Sequence, residues 1–556
     1  MKMLRIACVF AGFLWLAQLM PGQSFATLYS FQFTDGAYPA AGLIQPVDGD
    51  FYGTTSSGGA TGGGSVFSLT TGNGVTSLTT LYSFCQVSFC ADGADPLAGL
   101  VLANNGNFYG TTAEGGNNDG LPGTVYEVTP GGALTTLYDF CNQSQFPNCS
   151  DGYYPDTGLL AASDGNFYGT TSQGASSNCG TIFKITPTGA LTTLHTFEST
   201  DGCIPRAGLI EVKGIIYGAA EGGVGNTGTF FSLTLGGNFT VLTSFSSAEG
   251  SGPSGALVYA SDGNFYGTAV GGGANGEGTV FKVTPGGTLT TLYSFCSLSN
   301  CADGYQPVGG LIQANDGNLY GTTKFGPASQ SFGTIFKITL GGALTTLHQF
   351  GGADGAVPES VLMQSTDGNL YGTTLSGGDL NCGSNLGCGT VFRLSLGLSP
   401  FVETRPSSGK VGAAVTIQGT NLTGATSVTF DGTPAVFTVV SGFEITTTVP
   451  AGARTGTVQV KTPGGTLNSN TTFLVTPQVL SFTPTSGPVG TSVTITGVSL
   501  TQTLGVGFGD HVPAHFTVNS DTQVTATVPS GARTGPVGIE TKGGIGISSK
   551  KFTVTP

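Results

Sequence analysis

The sequence predicts an all-β fold, in which a seven-bladed β-propeller is followed by two small β-sandwiches. A phrase close to G-L-I-x-x-x-D-G-N-F-Y-G-T-T…G-T-V-F-K-V-T-P-G-G-x-L-T-T-L-Y-S-F is written seven times, and its Tyr-Gly pairs lie 49 to 59 residues apart. A period near fifty residues is typical of four-stranded propeller blades. A second pattern follows and occurs twice, with an offset of about 79 residues, which suits a small sandwich. Glycine supplies 94 of the 556 residues and charged residues only 9 per cent, as short strands joined by tight turns require.

Each copy of the phrase contains four strands, which we name a, b, c and d. Strand a is an apolar stretch such as 42–46, and an Asp-Gly or Asn-Gly turn joins it to strand b, which carries N-F-Y-G-T. These dipeptides favour two-residue hairpin turns, so strands a and b are expected to be antiparallel neighbours. A variable Gly-rich loop leads to strand c, for example 278–283, and a P-G-G turn leads to strand d, L-T-T-L-Y-S-F.

The order of the strands indicates how the ring closes. Residues 27–31 read T-L-Y-S-F, a d strand that precedes the first strand a, whereas the seventh copy stops at its c strand, 389–396. Pairing these two segments in one blade removes two free sheet edges. We therefore predict that the first d strand completes the seventh blade.

The first 26 residues are typical of a secretory signal peptide. Lys2 and Arg5 precede an apolar run over 6–19, which is too short for a stable membrane span, and Ser24-Phe25-Ala26 fits a cleavage site. The predicted organisation is a signal peptide at 1–26, a propeller at 27–397, and two sandwich domains at 398–476 and 477–556. No later segment is long and apolar enough to cross a membrane, so we expect a secreted, cell-surface or periplasmic monomer. Without the signal peptide, the chain has 15 basic and 31 acidic residues and no basic cluster, which argues against nucleic acid as a partner.

Strands c and d each have one position that holds an aromatic residue in every copy. A position filled in every blade is expected to pack between blades, although aromatic surfaces also bind sugars. The glycine that follows each repeated tyrosine, from Gly53 to Gly372, is expected to allow backbones to approach closely. The aromatic positions are Phe67, Tyr126, Phe183, Phe231, Phe281, Phe336 and Phe392 in strand c, and Phe31, Phe84, Phe140, Phe197, Phe245, Phe295 and Phe350 in strand d.

The b–c and d–a loops vary in length, and antiparallel order places both on one face of the disc, which we name the loop face. The short a–b and c–d turns lie on the opposite, plain face. Ten cysteines follow Cys8 in or beside the variable loops, and export favours disulfides over metal ligation or free thiols. We expect ligands to bind this elaborated face. The cysteines are Cys85, Cys90, Cys141, Cys149, Cys296, Cys301, Cys382 and Cys388, which form four close pairs in the sequence, and Cys179 and Cys203, which the loop order brings together.

The sandwich pattern resembles the IPT/TIG family of immunoglobulin-like domains. It runs from P-S-S-G at 406–409 through G-A-A-V-T-I-Q-G to V-P-A-G-A-R-T-G, and it returns from P-T-S-G at 484–487 through G-T-S-V-T-I-T-G to V-P-S-G-A-R-T-G. This resemblance implies two immunoglobulin-like β-sandwiches that act as spacers or adhesive modules and carry no catalytic residues of their own.

The sevenfold phrase resembles the GloVer-type tandem repeat of bacterial exported proteins over about residues 27–396. The signature is N-F-Y-G-T-T followed by G-G-T-V-F-K-V-T-P-G-G, and the fourth copy departs most, with G-I-I-Y-G-A at 214–219. The resemblance implies export, often with a surface anchor, and no assigned biochemical activity.

A repeated acid is the strongest candidate for a binding site. Each d–a loop carries D-G-x-x-P or a close variant, so seven carboxylates are expected to circle the loop face. Such a ring could hold calcium or a cationic ligand, because hard cations prefer carboxylate and carbonyl oxygens. The alternative is a rigid turn in which the acid accepts backbone hydrogen bonds, and sevenfold repetition favours it. The candidates are Asp35, Asp92, Asp151, Asp201, Glu249, Asp303 and Asp354.

Signals for catalysis are few. The sequence contains no G-x-S-x-G, H-E-x-x-H or phosphate-loop motif, and His195 and His348 replace the usual strand-d tyrosine as packed substitutes. We predict a non-catalytic binding or adhesion scaffold that recognises a polysaccharide or a cell-surface protein through its loop face. The alternative is a carbohydrate-active hydrolase or lyase, which needs two carboxylates at a set separation. Its better candidates are acids outside the repeat pattern, namely Glu114, Asp119, Glu221, Glu277 and Asp379.

Overall fold

The computed structural model describes residues 23–72, 75–116, 122–142, 149–327, 332–383, 386–509 and 512–556. The predicted signal peptide up to residue 22 lies outside them. The elements of the described chain are β-strands and three short 3-10 helices, at Ser88–Cys90, Val224–Asn226 and Ser299–Cys301, which confirms the all-β fold class. Within these ranges, no helix is long and apolar enough to cross a membrane.

Seven antiparallel sheets form the propeller blades, numbered here from Tyr52 in blade 1 to Tyr371 in blade 7. The strands of a blade follow the order a-b-c-d. In blade 1, strand a is reduced to a bridge between Ile44 and Tyr52, and blade 5 gains a further strand, Ser251–Pro253, against strand b.

Strands a are the shortest, and strands b and c form the centre of each sheet. Strands a span Val101–Leu102, Leu160–Ala161, Ile210–Val212, Val258–Tyr259, Ile312–Gln313 and Met363–Gln364. Strands b span Phe51–Thr55, Phe108–Thr112, Phe167–Thr171, Ile215–Ala220, Phe265–Gly271, Leu319–Thr323 and Leu370–Thr374. Strands c span Ser65–Gly72, Thr124–Val128, Thr181–Ile185, Thr229–Thr234, Thr279–Val283, Thr334–Ile338 and Thr390–Ser395. Strands d span Val75–Ser83, Leu134–Asp139, Leu191–Thr196, Phe239–Ser244, Leu289–Ser294 and Leu344–Gln349, with Ser24–Ser30 as the d strand of blade 7.

The first strand closes the ring, as its sequence predicts. Ser24–Ser30 pairs antiparallel with Thr390–Ser395, the c strand of blade 7. The strand begins three residues before the expected 27–31, because Ser24, Phe25 and Ala26 pair with residues 393–395. The segment assigned to the signal cleavage site is therefore part of the sheet, and the Phe25 ring stacks on His348 at a centroid distance of 3.8 Å.

Apolar clusters between successive blades hold the propeller together. All fourteen repeated aromatics of strands c and d are buried, as predicted. The tyrosine of strand b stacks on the first phenylalanine of the next blade, as in Tyr109 and Phe167, whose ring centroids lie 4.3 Å apart. A Cβ on Gly169 would lie 2.5 Å from Cζ of Phe183. The repeated glycine therefore makes room for the aromatic ring of strand c, whereas the sequence suggested a close approach of backbones.

Threonine hydroxyls add polar links from blade to blade. Thr111 Oγ1 in strand b of blade 2 donates to the carbonyl oxygen of Thr157 in blade 3 at 3.1 Å. The same bond closes the ring, where Thr373 Oγ1 donates to the Ala41 carbonyl oxygen at 3.0 Å. Each donor and acceptor pair is buried, so the bonds fix the angle between neighbouring blades.

Two immunoglobulin-like sandwiches follow the propeller. One sheet of the first sandwich contains Glu403–Arg405, Ala414–Gln418, Glu444–Thr448 and Phe437–Val439. Its other sheet contains Thr433–Ala435, Ser427–Phe430, Val458–Thr462 and Gly465–Asn468. A short parallel pair joins Ser408–Gly409 to Leu474–Val475. In the second, one sheet contains Gln478–Thr483, Ser492–Val498, Gln523–Thr527 and Phe516–Ser520, and the other contains Ser486–Gly487, Gly544–Val554, Gly535–Thr541, Thr503–Phe508 and Val512–Pro513. Each encloses its own apolar core.

The first sandwich contacts the plain face of the propeller. Gln418 Nε2 donates to the carbonyl oxygens of Gln45 at 2.6 Å and Pro46 at 2.9 Å, beside the a–b turn of blade 1. The Thr366 and Thr420 hydroxyls lie 2.7 Å apart at the a–b turn of blade 7. Because these turns lie at the opposite ends of the strands from the variable loops, the sandwich leaves the loop face uncovered.

Candidate functional site

The seven repeated acids lie in the d–a loops and act first on their own turns. Asp92 accepts hydrogen bonds from the backbone N–H groups of Gln86 and Val87 and from the Tyr82 hydroxyl. Asp303 accepts the same three bonds in blade 6. Backbone N–H groups also donate to the side chains of Asp35, Asp151, Asp201, Glu249 and Asp354.

These contacts favour the turn interpretation of the acid ring. Three of the carboxylates, in Asp92, Asp151 and Asp303, are buried. Over the described ranges, no group of three or more His, Cys, Asp or Glu side chains is arranged to hold a metal ion. Calcium binding by the ring stays a prediction.

The two strand-d histidines are packed as the sequence suggests. His195 stacks on Phe239 at 3.7 Å between centroids, and its Nε2 lies 3.1 Å from Asp201 Oδ2. Burial lowers the pKa of His195, and the Asp201 charge only partly opposes that shift. His348 stacks on Phe25 and bonds Asp354 at 2.9 Å. Both rings thus occupy the place of the tyrosines that bond the loop acid in other blades.

All ten cysteines named in the sequence are joined by disulfides on the loop face. Three disulfides close very short loops, in which the two cysteines lie five or six positions apart in sequence. A fourth, Cys179–Cys203, joins a b–c loop to the following d–a loop. The five pairs are Cys85–Cys90, Cys141–Cys149, Cys179–Cys203, Cys296–Cys301 and Cys382–Cys388.

The three shortest disulfide loops present large apolar side chains to solvent. In the Cys85–Cys90 loop, Phe89 is 89 per cent exposed and Val87 52 per cent. Leu298 in the second loop and Leu386 in the third are 54 and 66 per cent exposed. The sequence analysis missed these residues, although an apolar residue between two cysteines five or six positions apart is visible in the sequence.

A channel along the propeller axis opens among the same loops. Its cavity of about 460 Å³ is lined by the residues that precede strand a in all seven blades. Chain direction places the residue after the loop proline nearest the loop face, because strand a runs from there towards the plain face. That position changes from blade to blade and holds Ala40, Leu97, Asp156, Arg206, Ser254, Val308 and Glu359.

Charged residues at this mouth form one group in blades 2 to 4 and a separate ion pair in blades 6 and 7, where Lys324 Nζ lies 2.6 Å from Glu359 Oε1. Arg206 Nε lies 3.0 Å from Asp156 Oδ2, and its Nη1 lies 3.8 Å from Glu221 Oε1. Burial raises the pKa of both acids despite the nearby guanidinium. In blade 2, burial and the charge of Glu114 raise the pKa of Asp95 to about 6. We name the five residues of blades 2 to 4 the mouth cluster.

The remaining non-repeat acids lie elsewhere. Glu277 pairs through its backbone with Gly272 in the b–c loop of blade 5. Asp379 Oδ2 accepts a bond from Gln32 Nε2 at 3.2 Å, and Asp119 lies outside the described residues. The structure thus brings Glu114 and Glu221 to the mouth, together with Asp95, Asp156 and Arg206, which the sequence analysis did not select.

A polar triad on the plain face of the blades also escaped the sequence analysis. In blade 3, Tyr168 and Lys184 both bond Asp164 Oδ2, at 2.9 and 2.7 Å. Burial alone would raise the pKa of Asp164, but bonds from Lys184, Asn166 and Tyr168 lower it to about 2. The same triad recurs in blades 5 and 6.

In blade 2 the carboxylate of this triad comes from the other strand. Asn105 stands where blades 3, 5 and 6 have the aspartate of the triad, and Glu127 stands at their lysine position. The Tyr109 hydroxyl donates to Glu127 Oε1 at 2.9 Å and accepts from Asn105 Nδ2 at 2.9 Å. The two changes together keep one carboxylate hydrogen-bonded to the tyrosine hydroxyl.

Family models match nearly the whole chain. The Gloeobacter/Verrucomicrobia repeat matches at 15–147, 144–313 and 297–437, and the IPT/TIG domain matches at 402–475 and 477–555. No curated protein matches.

Three solved structures are similar to this chain at low sequence identity. A fungal alcohol oxidase of the AA5 family, in complex with copper, is 13 per cent identical with a TM-score of 0.43, covering 96 per cent of this chain and 99 per cent of its own. The surface glycan-binding protein PbSGBP-B from Prevotella bryantii is 19 per cent identical with a TM-score of 0.21, covering 28 and 38 per cent. SGBP-B from Bacteroides uniformis is 21 per cent identical with a TM-score of 0.15, covering 27 and 48 per cent. This chain spans less than half the length of those two binding proteins.

Proposed function

Because this chain belongs to the Gloeobacter/Verrucomicrobia repeat family and ends in two IPT/TIG domains, we propose that it is an exported, non-catalytic binding scaffold. Its loop face would recognise a glycan or a protein of a cell surface. Five disulfides suit an oxidising compartment outside the cytoplasm.

The observation that carries this proposal is the exposure of apolar side chains on disulfide-closed loops. An exposed apolar side chain gains free energy when a partner buries it, and aromatic anchors dominate binding energies. A closed loop holds its anchor in place before binding, which reduces the conformational entropy lost in the complex. Phe89, Val87, Leu298 and Leu386 are all exposed on such closed loops, and Phe89 is the aromatic member of the four.

The distribution of exposed groups between the two faces supports the same conclusion. Phe33 and Leu380 add to the exposed set on the loop face. Among the described propeller residues of the plain face, the large apolar side chain that is exposed is Ile215, and its exposed fraction of 37 per cent is lower than those on the loop face. The first sandwich contacts that plain face through Gln418 and Thr420. The sandwiches would thus serve as a stalk and leave the binding face free.

The experiment is retention of the purified protein on insoluble polysaccharides and bacterial cell envelopes. Phe89→Ser and Leu298→Ser should each weaken retention by about 10- to 100-fold, because burying one such side chain contributes about 1.5–3 kcal/mol. Ile215→Ser is the matched control on the plain face and should leave retention unchanged. Retention that is indifferent to Phe89 and Leu298, or no retention on any material, would contradict the proposal.

A second candidate function is carbohydrate cleavage at the channel mouth. It is favoured by Asp95, whose pKa near 6 beside Glu114 suits proton transfer at neutral pH. The same retention tubes should then release soluble sugar, and Asp95→Asn should abolish that release without reducing retention. Retention without release leaves the scaffold as the function.

A further inference from the structure

A cavity opens on the plain face between blades 2 and 3. Its volume is about 250 Å³, and its walls are the a–b turns of both blades and Pro187 of the c–d turn of blade 3. One wall residue is Ala161, which pairs with Phe167 in the ladder between strands a and b of blade 3. At the same ladder position, blades 6 and 7 carry Gln313 and Gln364. The cavity therefore lies where these two blades have a glutamine side chain.

In blades 6 and 7, this glutamine side chain is bonded to the preceding blade. Gln364 Oε1 accepts from the backbone N–H of Asn315, in the a–b turn of blade 6, at 2.9 Å. Its Nε2 donates to Asn315 Oδ1 at 3.1 Å and to the carbonyl oxygen of Gly368, in its own a–b turn, at 3.3 Å. Gln313 makes the equivalent three bonds between blades 5 and 6, at 2.8, 3.0 and 2.9 Å. One carboxamide thus satisfies one donor and two acceptors at each of these junctions.

Between blades 2 and 3 the same donor and acceptors are present without the glutamine. Asn104 stands at the position of Asn315, Gly165 stands at that of the blade 7 turn glycine, and both are exposed and line the cavity. The a–b turns of blades 2 and 6 contain the same two backbone hydrogen bonds, so the N–H groups of the two asparagines point in the same direction. Within the described part of the chain, the Asn104 N–H and the Gly165 carbonyl oxygen have no hydrogen-bond partner. A ligand from solvent can therefore reach the groups that a glutamine joins in blades 6 and 7.

The positions of these groups match a primary carboxamide. Its carbonyl oxygen would accept from the Asn104 N–H, and its two N–H donors would serve Asn104 Oδ1 and the Gly165 carbonyl oxygen. A secondary amide has one N–H donor, and a carboxylate has none. The Glu127 carboxylate accepts from Tyr109, in the cavity wall, at 2.9 Å, and its charge would repel an anionic ligand.

We propose that this cavity binds a primary carboxamide in the place that the Gln364 side chain takes between blades 6 and 7. Asn104 and Gly165 would bind the amide, and the methylene groups beside it would lie against the apolar wall that Leu102 and Phe167 provide. The source would be free glutamine or a glutamine side chain of a partner protein. The inference does not rest on the proposed function, because the cavity lies on the plain face and contains none of the exposed loop residues.

The first test measures saturation transfer in NMR from the full exported chain to butyramide, which copies the amide and methylene groups of a glutamine side chain. We expect transfer to butyramide, severalfold weaker transfer to N-methylbutyramide, and none to butyrate. The order follows from the number of N–H donors that each ligand offers. Equal transfer to butyrate, or no transfer to butyramide, would overturn the proposal.

Variants locate the site. Ala161→Gln supplies the carboxamide from the chain itself, so it should abolish transfer to butyramide and raise the melting temperature. Ala343→Gln makes the same change on an exposed c–d turn of blade 6 and should leave the transfer unchanged. Adding Gln313→Ala to Ala161→Gln opens the equivalent place between blades 5 and 6, so the transfer should return. Transfer that persists in Ala161→Gln, or that stays absent from the double variant, would refute the site.

The single variant Gln313→Ala keeps the test decisive if Ala161→Gln does not fold. It leaves the cavity between blades 2 and 3 intact and opens a second one with the same donor and acceptors. Transfer to butyramide should then increase, and unchanged transfer would count against the equivalence of the two junctions.

Competition with butyramide distinguishes the sources of the amide. A peptide with one internal glutamine should compete if a partner protein supplies the group, and its glutamate counterpart should not. Competition by free glutamine without the peptide assigns the site to the free amino acid, and competition by neither would contradict glutamine as the source. N-Acetylglucosamine carries a secondary amide, and its binding more tightly than butyramide would contradict the choice of a primary carboxamide.

Discussion

The closing strand offers the sharpest test of how the propeller is held together. Cleavage after Ala26 would leave a chain that begins at Thr27, whereas the structure extends the strand back to Ser24. We compare the form that begins at Gln23 with the form that begins at Thr27. The shorter form loses three residue pairs with blade 7, the Phe25 ring and the bond from Gln23 Nε2 to the Leu347 carbonyl oxygen.

The structure sets the size of the expected loss. Phe25 is half-buried against His348 and Phe392, so its apolar contact is worth about 1–2 kcal/mol. The stacked ring pair adds about 0.5–1.5 kcal/mol. The lost hydrogen bonds add about 1–2 kcal/mol, because part of the strand remains solvated. We expect the form that begins at Thr27 to be about 3–5 kcal/mol less stable, which for so large a domain lowers the melting temperature by roughly 4–8 °C.

Thermal and urea unfolding of both forms measure this difference. Phe25→Ala in the longer form removes only the ring and should account for about half of the loss. N-terminal sequencing of the exported protein should show that processing occurs before Ser24. Equal stability of the two forms would refute the argument that residues 24–26 help to close the ring.

Three further predictions concern single contacts. Asn105→Asp should destabilise the fold by about 1–2 kcal/mol, because it places a second carboxylate beside Glu127. Adding Glu127→Lys should restore the stability. If the effects of the two substitutions on the free energy of unfolding in urea are simply additive, the triad is contradicted. The raised pKa of Asp95 means that its protonated form favours the folded state; this stability is fully present below about pH 4 and is lost as the pH rises through about 6. Because Asp95→Asn removes the charged form, it should raise the melting temperature at pH 8. That gain, about 1 kcal/mol after allowance for solvent, should vanish near pH 4, and a constant difference would count against it. Thr111→Val should cost about 1–2 kcal/mol by leaving the facing carbonyl oxygen unsatisfied, whereas the exposed Thr188→Val should be neutral.

The repeated architecture could be predicted because its signals are local. Asp-Gly turns, alternating strand residues and the unpaired first d strand each act within a few residues, and together they specify the blades and their closure. The extent of the closing strand could not be predicted, because Ser24-Phe25-Ala26 fits both a cleavage site and the edge of a sheet. The long-range pairing of these residues with blade 7 and the contact between Phe25 and His348 distinguish the two.

The candidate sites were predictable only in part. The loop face followed from strand order, and Glu114 and Glu221 stood out as acids outside the repeat. Asp156 and Arg206 did not, because they lie 50 residues apart and meet only when blades 3 and 4 pack side by side. Comparing the residue after each loop proline across the seven copies would have revealed them, since its chemical class changes in nearly every blade.

The division between repeated and non-repeated positions has a physical reason. A residue that packs one blade on the next meets the same environment seven times, so the same residue type serves in every copy. A ligand on the propeller axis has no sevenfold symmetry, so identical groups around the mouth would hold it in seven equivalent orientations. Asp156, Arg206 and Ser254 occupy equivalent places in three successive blades and differ in charge and hydrogen-bonding capacity. Unlike groups at equivalent places can select a single orientation, which is what recognition of an asymmetric ligand on this axis requires.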